Sequence, residues 1–122
     1  MKYVIGIDIG GSMTKICAFD ENGRLVAPMS VRANDPLASF YGAFGKFTQE
    51  NGISLSEITC LRATGVGSSF VEKTTYGLPV ECISEFEAVG RGGLYLSGLS
   101  DALVVSMGTG TAMVRANKNE YR

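Results

Sequence analysis

The strongest constraint on the fold of this chain is a pattern of two apolar runs joined by a pair of glycines within the first 19 residues. Ile5 and Ile7 are β-branched and apolar, which favours a buried strand. Gly10 and Gly11 follow, and neither has a Cβ that would prevent a tight turn or the close approach of a ligand. Residues 13–19 fit a returning strand. The sequence therefore predicts a strand, a glycine turn and a second strand.

The polar side chains around this turn are typical of a site for a nucleotide phosphate with its magnesium ion. Asp8 stands at the end of the first strand, where it would hold magnesium directly or through water, because this ion prefers oxygen ligands. Ser12 and Thr14 supply hydroxyls, Lys15 supplies a positive charge, and backbone N–H groups of such a turn can bind an anion. An ordinary hairpin turn, in which glycine supplies a positive φ, has the same pattern, and both interpretations stay open.

Two known phosphate-binding patterns do not fit this stretch. A Walker loop requires Gly-x-x-x-x-Gly-Lys before a helix, which is not present here. The dinucleotide fingerprint requires a helix after the glycines, whereas the residues after Gly11 predict a strand.

Composition restricts the classes of function. The 122 residues are enough for one domain with a core, and a hydrophobic fraction of 45% fits a globular protein. A net charge of −1 without a basic run argues against a nucleic-acid partner. No apolar run is long enough to span a bilayer, and the N-terminus lacks a signal pattern, so we expect no membrane association. The 3 cysteines are widely spaced, which is typical of reduced residues in a cytoplasmic protein.

The chain contains no histidine. A general base within it that works near neutral pH would therefore be a carboxylate, and histidine-dependent triads are excluded.

The next residues predict a third strand and a helix. Asn22-Gly23 is a signal for a type I′ hairpin turn, and it would join the second strand to a third over residues 24–31, which completes an antiparallel meander. Asp35-Pro36 predicts an N-cap followed by proline in the first helical turn, and Asn51-Gly52 predicts the end of that helix. The residues at helical spacing that we expect on its buried stripe are Leu37, Phe40, Tyr41, Phe44 and Phe47.

A fourth strand is predicted over residues 58–63, and it ends in the loop Thr64-Gly-Val-Gly-Ser-Ser69. Ligands of open α/β sheets bind at such strand ends, but the loop also fits a plain connection, and both interpretations stay open. A short helix is predicted over residues 70–76 and an extended run over residues 79–83.

The last third of the chain predicts a helix and a second glycine hairpin. Ser84 and Glu87 form a capping-box pattern at the start of a helix that runs to about Ser97. Its glycines weaken it, but they leave a small face that another element can approach closely. Residues 101–107 and 112–116 predict two strands, joined by the turn Gly108-Thr-Gly-Thr111. The predicted fold class is thus α/β: a three-stranded antiparallel meander that continues into a mixed sheet with flanking helices.

Four stretches together resemble the type II pantothenate kinases, a family of the acetate and sugar kinase, heat-shock 70 and actin superfamily, whose two hairpin loops clamp phosphates. The stretches are Asp8-Ile-Gly-Gly-Ser-Met-Thr-Lys15, Ala63-Thr-Gly65, Ser84-Glu-Phe-Glu-Ala88 and Ser106-Met-Gly-Thr-Gly-Thr-Ala112. The resemblance implies the actin-like ATPase (ribonuclease H-like) fold. It also implies that the chain is an N-terminal fragment, with residues 1–98 as the first ATPase domain and residues 99–122 as the opening hairpin of a truncated second domain.

The resemblance implies ATP-dependent phosphorylation of pantothenate, the first step of coenzyme A biosynthesis, by a cytoplasmic homodimer, with an inactive isolated fragment. Glu85 is the implied catalytic base and Asp8 the magnesium residue. The implied phosphate-binding residues are Gly10, Gly11, Ser12, Thr14, Lys15, Gly108, Thr109, Gly110 and Thr111. The sequence departs from the family at Ala112, where a hydroxyl residue of the pantothenate pocket is expected.

Two other interpretations remain open. The chain could belong to another enzyme of the same superfamily, such as a sugar or acyl kinase or a dehydratase-activating ATPase. It could also be a non-catalytic nucleotide-binding module, because a fold alone does not determine a function. Glu85 has a structural explanation as well, since a negative charge at a helix N-terminus complements the helix dipole, and this explanation is preferred for Glu87.

Overall fold

The computed structural model describes residues 1–32, 34–108 and 110–122. They form two compact units, Met1–Cys82 and Ile83–Arg122, and each is described by itself. The first unit consists of β1 (Tyr3–Ile9), β2 (Met13–Asp20), β3 (Leu25–Arg32), α1 (Pro36–Asn51), β4 (Ile58–Thr64), β5 (Thr74–Thr75) and β6 (Leu78–Cys82), with 3₁₀ turns at Leu55–Glu57 and Ser68–Phe70.

These strands form one mixed sheet in the order β3-β2-β1-β4-β6-β5. The pairs β1–β2 and β2–β3 are antiparallel, so the predicted meander is confirmed. The sheet continues through β4 and β6, which are parallel to β1 and to β4 respectively. The strand β1 therefore has one antiparallel neighbour and one parallel neighbour. Its C-terminal end lies between the start of β2 and the end of β4.

The helix α1 begins and ends where the sequence predicts. The Asp35 carboxylate accepts a hydrogen bond of 3.0 Å from the Ala38 N–H, and Pro36 occupies the first turn. Gly52 ends the helix in the left-handed conformation with φ 64°.

The buried stripe of α1 is narrower than predicted. Phe40, Phe44 and Phe47 are buried and pack with the isoleucines of β1 in the hydrophobic core. The prediction is wrong for Leu37 and Tyr41, which are 41% and 39% exposed. These two lie one helical turn apart at the margin of the stripe, so spacing alone does not separate them from core positions.

Two turns differ from their predicted conformations. The β2–β3 hairpin is confirmed, but its turn is not type I′, because Gly23 has a positive φ (77°) and Asn22 does not. The Asp20 carboxylate holds this turn instead, accepting hydrogen bonds from the N–H groups of Asn22 (2.8 Å) and Arg24 (3.0 Å). Such a side-chain bond to the backbone competes with the expected turn geometry.

The prediction of a helix over residues 70–76 is wrong, because the 3₁₀ turn Ser68–Phe70 ends at the start of this stretch and β5 (Thr74–Thr75) follows. Two consecutive residues with positive φ, Tyr76 (51°) and Gly77 (78°), join β5 to β6, as a type I′ turn requires. The Tyr76 ring contacts Phe44 and Tyr41, with ring centroids 6.1 and 5.7 Å apart. These aromatic contacts offset the strain of a non-glycine residue in this conformation.

The second unit consists of α2 (Glu85–Ser97), β7 (Asp101–Met107) and β8 (Thr111–Asn117), with β7 and β8 antiparallel. The Ser84 hydroxyl accepts a hydrogen bond of 3.1 Å from the Glu87 N–H, and Gly98 ends α2 with φ 73°. This compact unit begins at Ile83, before α2. The sequence predicts a different division, into residues 1–98 and 99–122, for the domains of a longer enzyme, and that division stays a prediction.

The predicted small face of α2 packs against the β7–β8 hairpin. A Cβ added to Gly90 would lie 2.5 Å from Tyr121 Cδ1, and one added to Gly93 would lie 2.5 Å from Val104 Cγ1. Glycine at these positions thus permits the close approach of helix and hairpin. No helix in residues 1–32, 34–108 and 110–122 is long and apolar enough to cross a membrane.

We expect Gly93→Ala to loosen the second unit, because its methyl group would overlap the stiff Val104 side chain. Overpacking of this kind costs about 1–3 kcal/mol. The matched control is Gly92→Ala, since nothing lies within 4 Å of a Cβ there; this change should stabilise the helix by up to about 1 kcal/mol. Amide hydrogen exchange of β7 and β8 measures both effects. Equal exchange rates in the two variants would contradict the close contact.

Candidate functional site

Three polar side chains of the first unit lie side by side at the end of β1. Asp8 is paired in register with Lys15 of β2 and with Thr64 of β4. Directly paired residues project from the same face of a sheet, so the three side chains share one face across adjacent strands. Asp8 is half-buried and Lys15 is exposed. The predicted magnesium residue is therefore next to a lysine and a hydroxyl residue.

The β1–β2 turn is tight, and its two glycines have different roles. The Gly10 N–H donates a 3.0 Å hydrogen bond to the Met13 carbonyl, and a Cβ on Gly10 would lie 2.7 Å from that oxygen. Nothing lies within 4 Å of a Cβ on Gly11. Neither glycine has a positive φ, so the ordinary-turn interpretation does not explain glycine at position 11. Gly11 and Ser12 are exposed and leave the backbone of the turn open to a ligand.

The loop after β4 lies against the end of β1. Gly65 has φ 93°, and a Cβ there would lie 2.5 Å from Asp8 Oδ1 and 2.6 Å from the Ile9 carbonyl oxygen. The Gly67 N–H donates a 2.8 Å hydrogen bond to the same carbonyl. A Cβ on Gly67 would overlap the Ile9 side chain at 2.3 Å. This loop, for which the sequence left two interpretations open, is therefore packed beside Asp8.

The structure places Thr14 apart from the other predicted phosphate-binding side chains. Adjacent residues of a strand face opposite sides, so the Thr14 side chain lies on the other face from Lys15. It is fully buried beside the core residue Ile16, and its hydroxyl has no hydrogen-bond partner among the described residues. The predicted role of Thr14 would therefore require its backbone rather than this buried side chain.

The second glycine loop, between β7 and β8, is described at Gly108, Gly110 and Thr111, all of which are exposed. The Gly108 N–H donates a 2.9 Å hydrogen bond to the Gly110 carbonyl, and Thr111 pairs with Met107. Thr109, also predicted to bind phosphate, lies outside the described residues.

Glu85 and Glu87, both in the first turn of α2, have different surroundings. Glu85 is exposed. The Glu87 carboxylate lies 3.4 Å from Arg91 Nε, and the Arg91 guanidinium lies 5.5 Å from the centre of the Tyr121 ring. Glu87 thus belongs to an ion pair on the helix, and Glu85 is the more exposed of the two carboxylates. The catalytic role of Glu85 stays a prediction.

The residues at Asp8 fit a magnesium ion that keeps most of its water. No group of three or more Asp, Glu, Cys or His residues that could hold a metal occurs in the described part of the chain. Magnesium is commonly held by one or two carboxylates together with phosphate oxygens and waters, so a single carboxylate beside a phosphate-binding turn suits it. Cys17 is a free cysteine, but it is not a candidate metal ligand. Burial raises the pKa of its thiol and so disfavours the thiolate, which is the form that binds metals.

Sequence reasoning gave Thr64 no role of its own in the site. The residue stands in a motif and at the start of a loop, but its pairing with Asp8 depends on how β4 aligns with β1. That alignment joins residues more than 50 positions apart in sequence, and no local signal in the chain specifies it.

No protein-family model and no curated protein matches the chain. Solved structures do match. The activator of the 2-hydroxyisocaproyl-CoA dehydratase from Clostridium difficile, with bound ADPNP, is 18% identical with a TM-score of 0.70, over 91% of this chain and 45% of that one. Component A of the (R)-2-hydroxyglutaryl-CoA dehydratase from Acidaminococcus fermentans is 18% identical with a TM-score of 0.71, over 97% of this chain and 48% of that one. A ROK family glucokinase from Streptomyces griseus, in complex with glucose and AMPPNP, is 20% identical with a TM-score of 0.71, over 98% of this chain and 46% of that one.

The chain has the actin-like ATPase (ribonuclease H-like) fold, as the sequence predicts. It spans about half the length of the dehydratase components and the glucokinase that it matches. At these identities the similarity shows the fold and not an activity.

We expect Gly65→Ala to destabilise the first unit and to displace the Asp8 carboxylate. The left-handed conformation costs a non-glycine residue about 1–2 kcal/mol, and the overlap with Asp8 and Ile9 adds about 1–3 kcal/mol. Gly23→Ala is the matched control, because it has a similar φ (77°) with nothing within 4 Å of its Cβ. Urea unfolding compares them, and an equal loss of stability in both variants would contradict the packing of this loop on β1.

Proposed function

We propose that the chain forms part of an ATP-dependent enzyme and that its β1–β2 turn binds nucleotide phosphates, with magnesium at Asp8. The observation that carries this proposal is the position of the Asp8 carboxylate, next to Lys15 and directly before an exposed turn with an open glycine. Two structures with the same fold contain ATP analogues, ADPNP in the dehydratase activator and AMPPNP in the glucokinase. These bound analogues support the proposal that this chain binds a ligand of the same class.

The residue types suit phosphoryl transfer, which depends mainly on positioning and on charge stabilisation. Backbone N–H groups of the β1–β2 turn and the Lys15 ammonium would bind phosphate oxygens, and Asp8 would orient the hydrated metal. Magnesium, when bound, neutralises phosphate charge. In the second unit, we propose that the exposed loop at Gly110 and Thr111 also binds phosphate through its own N–H and hydroxyl groups.

We further propose Glu85 as the general base that accepts the proton of the attacking hydroxyl. It is an exposed carboxylate in the first turn of α2. Glu87, two positions later, points about 200° away around the helix and is engaged with Arg91.

The acceptor that we propose is the primary hydroxyl of pantothenate, and this step rests on the resemblance of the four motifs. The proposal includes a cytoplasmic homodimer. A second candidate function is that of another enzyme of the superfamily, because the matching structures include a glucokinase and two dehydratase components. A non-catalytic nucleotide-binding module is the remaining alternative.

A coupled assay of ADP release by the intact protein separates these candidates. Pantothenate, a panel of sugars and a panel of short carboxylic acids are supplied in turn with ATP and magnesium. Release that depends on pantothenate supports the main proposal, and release that depends on a sugar or an acid supports the second candidate. ATP binding without turnover under any of these conditions would favour the non-catalytic module.

We expect Asp8→Asn to abolish most of the magnesium-dependent turnover while the protein stays folded. The side chain keeps its shape and its strand-end position but loses the charge that orients the metal. The matched control is Glu50→Gln, which removes an exposed carboxylate from α1. Turnover as a function of magnesium concentration and thermal unfolding are both measured. Wild-type rates in the Asp8 variant would exclude the metal role.

Glu85→Gln should bind ATP normally and lose about 10²–10⁴ in kcat, the usual contribution of a general base. Glu87→Gln is its matched control on the same helical turn. It removes a partly exposed ion pair with Arg91, and such pairs contribute at most about 1 kcal/mol to stability. Steady-state kinetics and nucleotide titration of both variants decide the assignment. Similar kcat values for the two variants would show that Glu85 is not the base.

A further inference from the structure

Three hydroxyl oxygens of the first unit are buried without a hydrogen-bond partner among the described residues: Oγ1 of Thr14, Thr64 and Thr75. An unsatisfied buried polar group destabilises the folded state, so each one requires an explanation. The side chains of Thr14 and Thr75 are 0% and 2% exposed, whereas Thr64 is only half-buried. Thr64 is therefore the member of this group nearest to solvent.

Thr64 also differs from the other two in its position. It is paired in register with Asp8, so its side chain lies on the face of the sheet that carries the carboxylate. The next residue, Gly65, would touch Asp8 Oδ1 at 2.5 Å if it had a Cβ. A rotation of the Thr64 side chain between staggered rotamers moves its hydroxyl without any change in the backbone. The Thr64 side chain, with its unsatisfied hydroxyl, thus lies beside the proposed metal residue on the same face of the sheet.

We propose that Thr64 is a positioning residue whose hydroxyl holds a water ligand of the magnesium ion at Asp8. This inference rests on the proposed function. Magnesium keeps several of its waters in protein sites, and those waters need hydrogen-bond acceptors. Asp8 alone cannot accept from all of them. A hydroxyl has two lone pairs as well as a proton, so Thr64 can accept from a bound water and donate to a phosphate oxygen.

The chain provides a matched control for this role at Thr75. It is also a threonine with an unsatisfied buried hydroxyl, but it lies on β5 at the edge of the sheet, separated from β4 by β6. Removal of either hydroxyl should affect the folding of the ligand-free protein in the same way. Only the removal at Thr64 should affect the metal.

The test measures binding of Mn²⁺, a spectroscopic substitute for Mg²⁺, to the intact protein in the presence of ATP, by electron paramagnetic resonance. Thr64→Val and Thr75→Val replace each hydroxyl with a methyl group of similar size. We expect Thr64→Val to weaken metal affinity about tenfold, within the range found when an outer-shell partner is lost. Thr64→Ser should keep the affinity, and Thr75→Val should leave it unchanged. Urea unfolding without ligand should show no loss of stability in either valine variant.

Each other result overturns the inference. Metal affinity in Thr64→Val equal to wild type, while Asp8→Asn abolishes binding, would refute the role of Thr64 and leave the proposed function standing. An equal loss in Thr75→Val would show a general packing effect. No binding of Mn²⁺ with ATP by the wild-type protein would overturn both proposals. If Thr64→Val does not fold, Thr64→Ala and Thr75→Ala replace the valine variants, and their metal affinities are compared by the same criteria.

Discussion

The contact between the end of β1 and the loop after β4 determines the geometry of the candidate site. The Ile9 carbonyl accepts the Gly67 N–H, and Gly65 fits between that carbonyl and the Asp8 carboxylate. The parallel pairing of β1 with β4 delivers this loop to the same end of the sheet as the β1–β2 turn. Without the close approach that glycine permits, the Asp8 carboxylate could not keep its place beside the loop.

Glycine serves two separate purposes in this chain, and the structure distinguishes them. At Gly65, Gly67 and Gly93 a Cβ would overlap a neighbouring group, so glycine is required for packing. At Gly11 nothing lies within 4 Å of a Cβ and φ is not positive, so neither packing nor backbone strain requires glycine there. This residue lies in the first predicted phosphate loop, where the absence of a side chain leaves the backbone accessible.

The sequence predicted the antiparallel meander and both ends of α1 and α2, because these depend on local signals such as strand alternation and capping residues. Three features could not be predicted. At Asn22 the Asp20 carboxylate accepts backbone N–H hydrogen bonds that hold the turn, and Tyr76, which has a positive φ, contacts rings of α1. The place of Thr64 beside Asp8 depends on strand register. The last two depend on contacts between residues far apart in sequence, which a local pattern does not contain. At Asn22 the bond is local, but it competes with the stronger turn signal of Asn22-Gly23.

In the second unit, a helix with weak intrinsic propensity carries Glu85, the proposed base. The glycines of α2 disfavour the helix, and the packing of Gly90 and Gly93 against Tyr121 and Val104 compensates for this. The same hairpin that supports α2 carries the loop with Gly110. Glu85, at the start of α2, is therefore connected to that loop through a closely packed interface. A substitution that separates helix and hairpin would disturb the carboxylate and the loop together, although neither is in the contact itself.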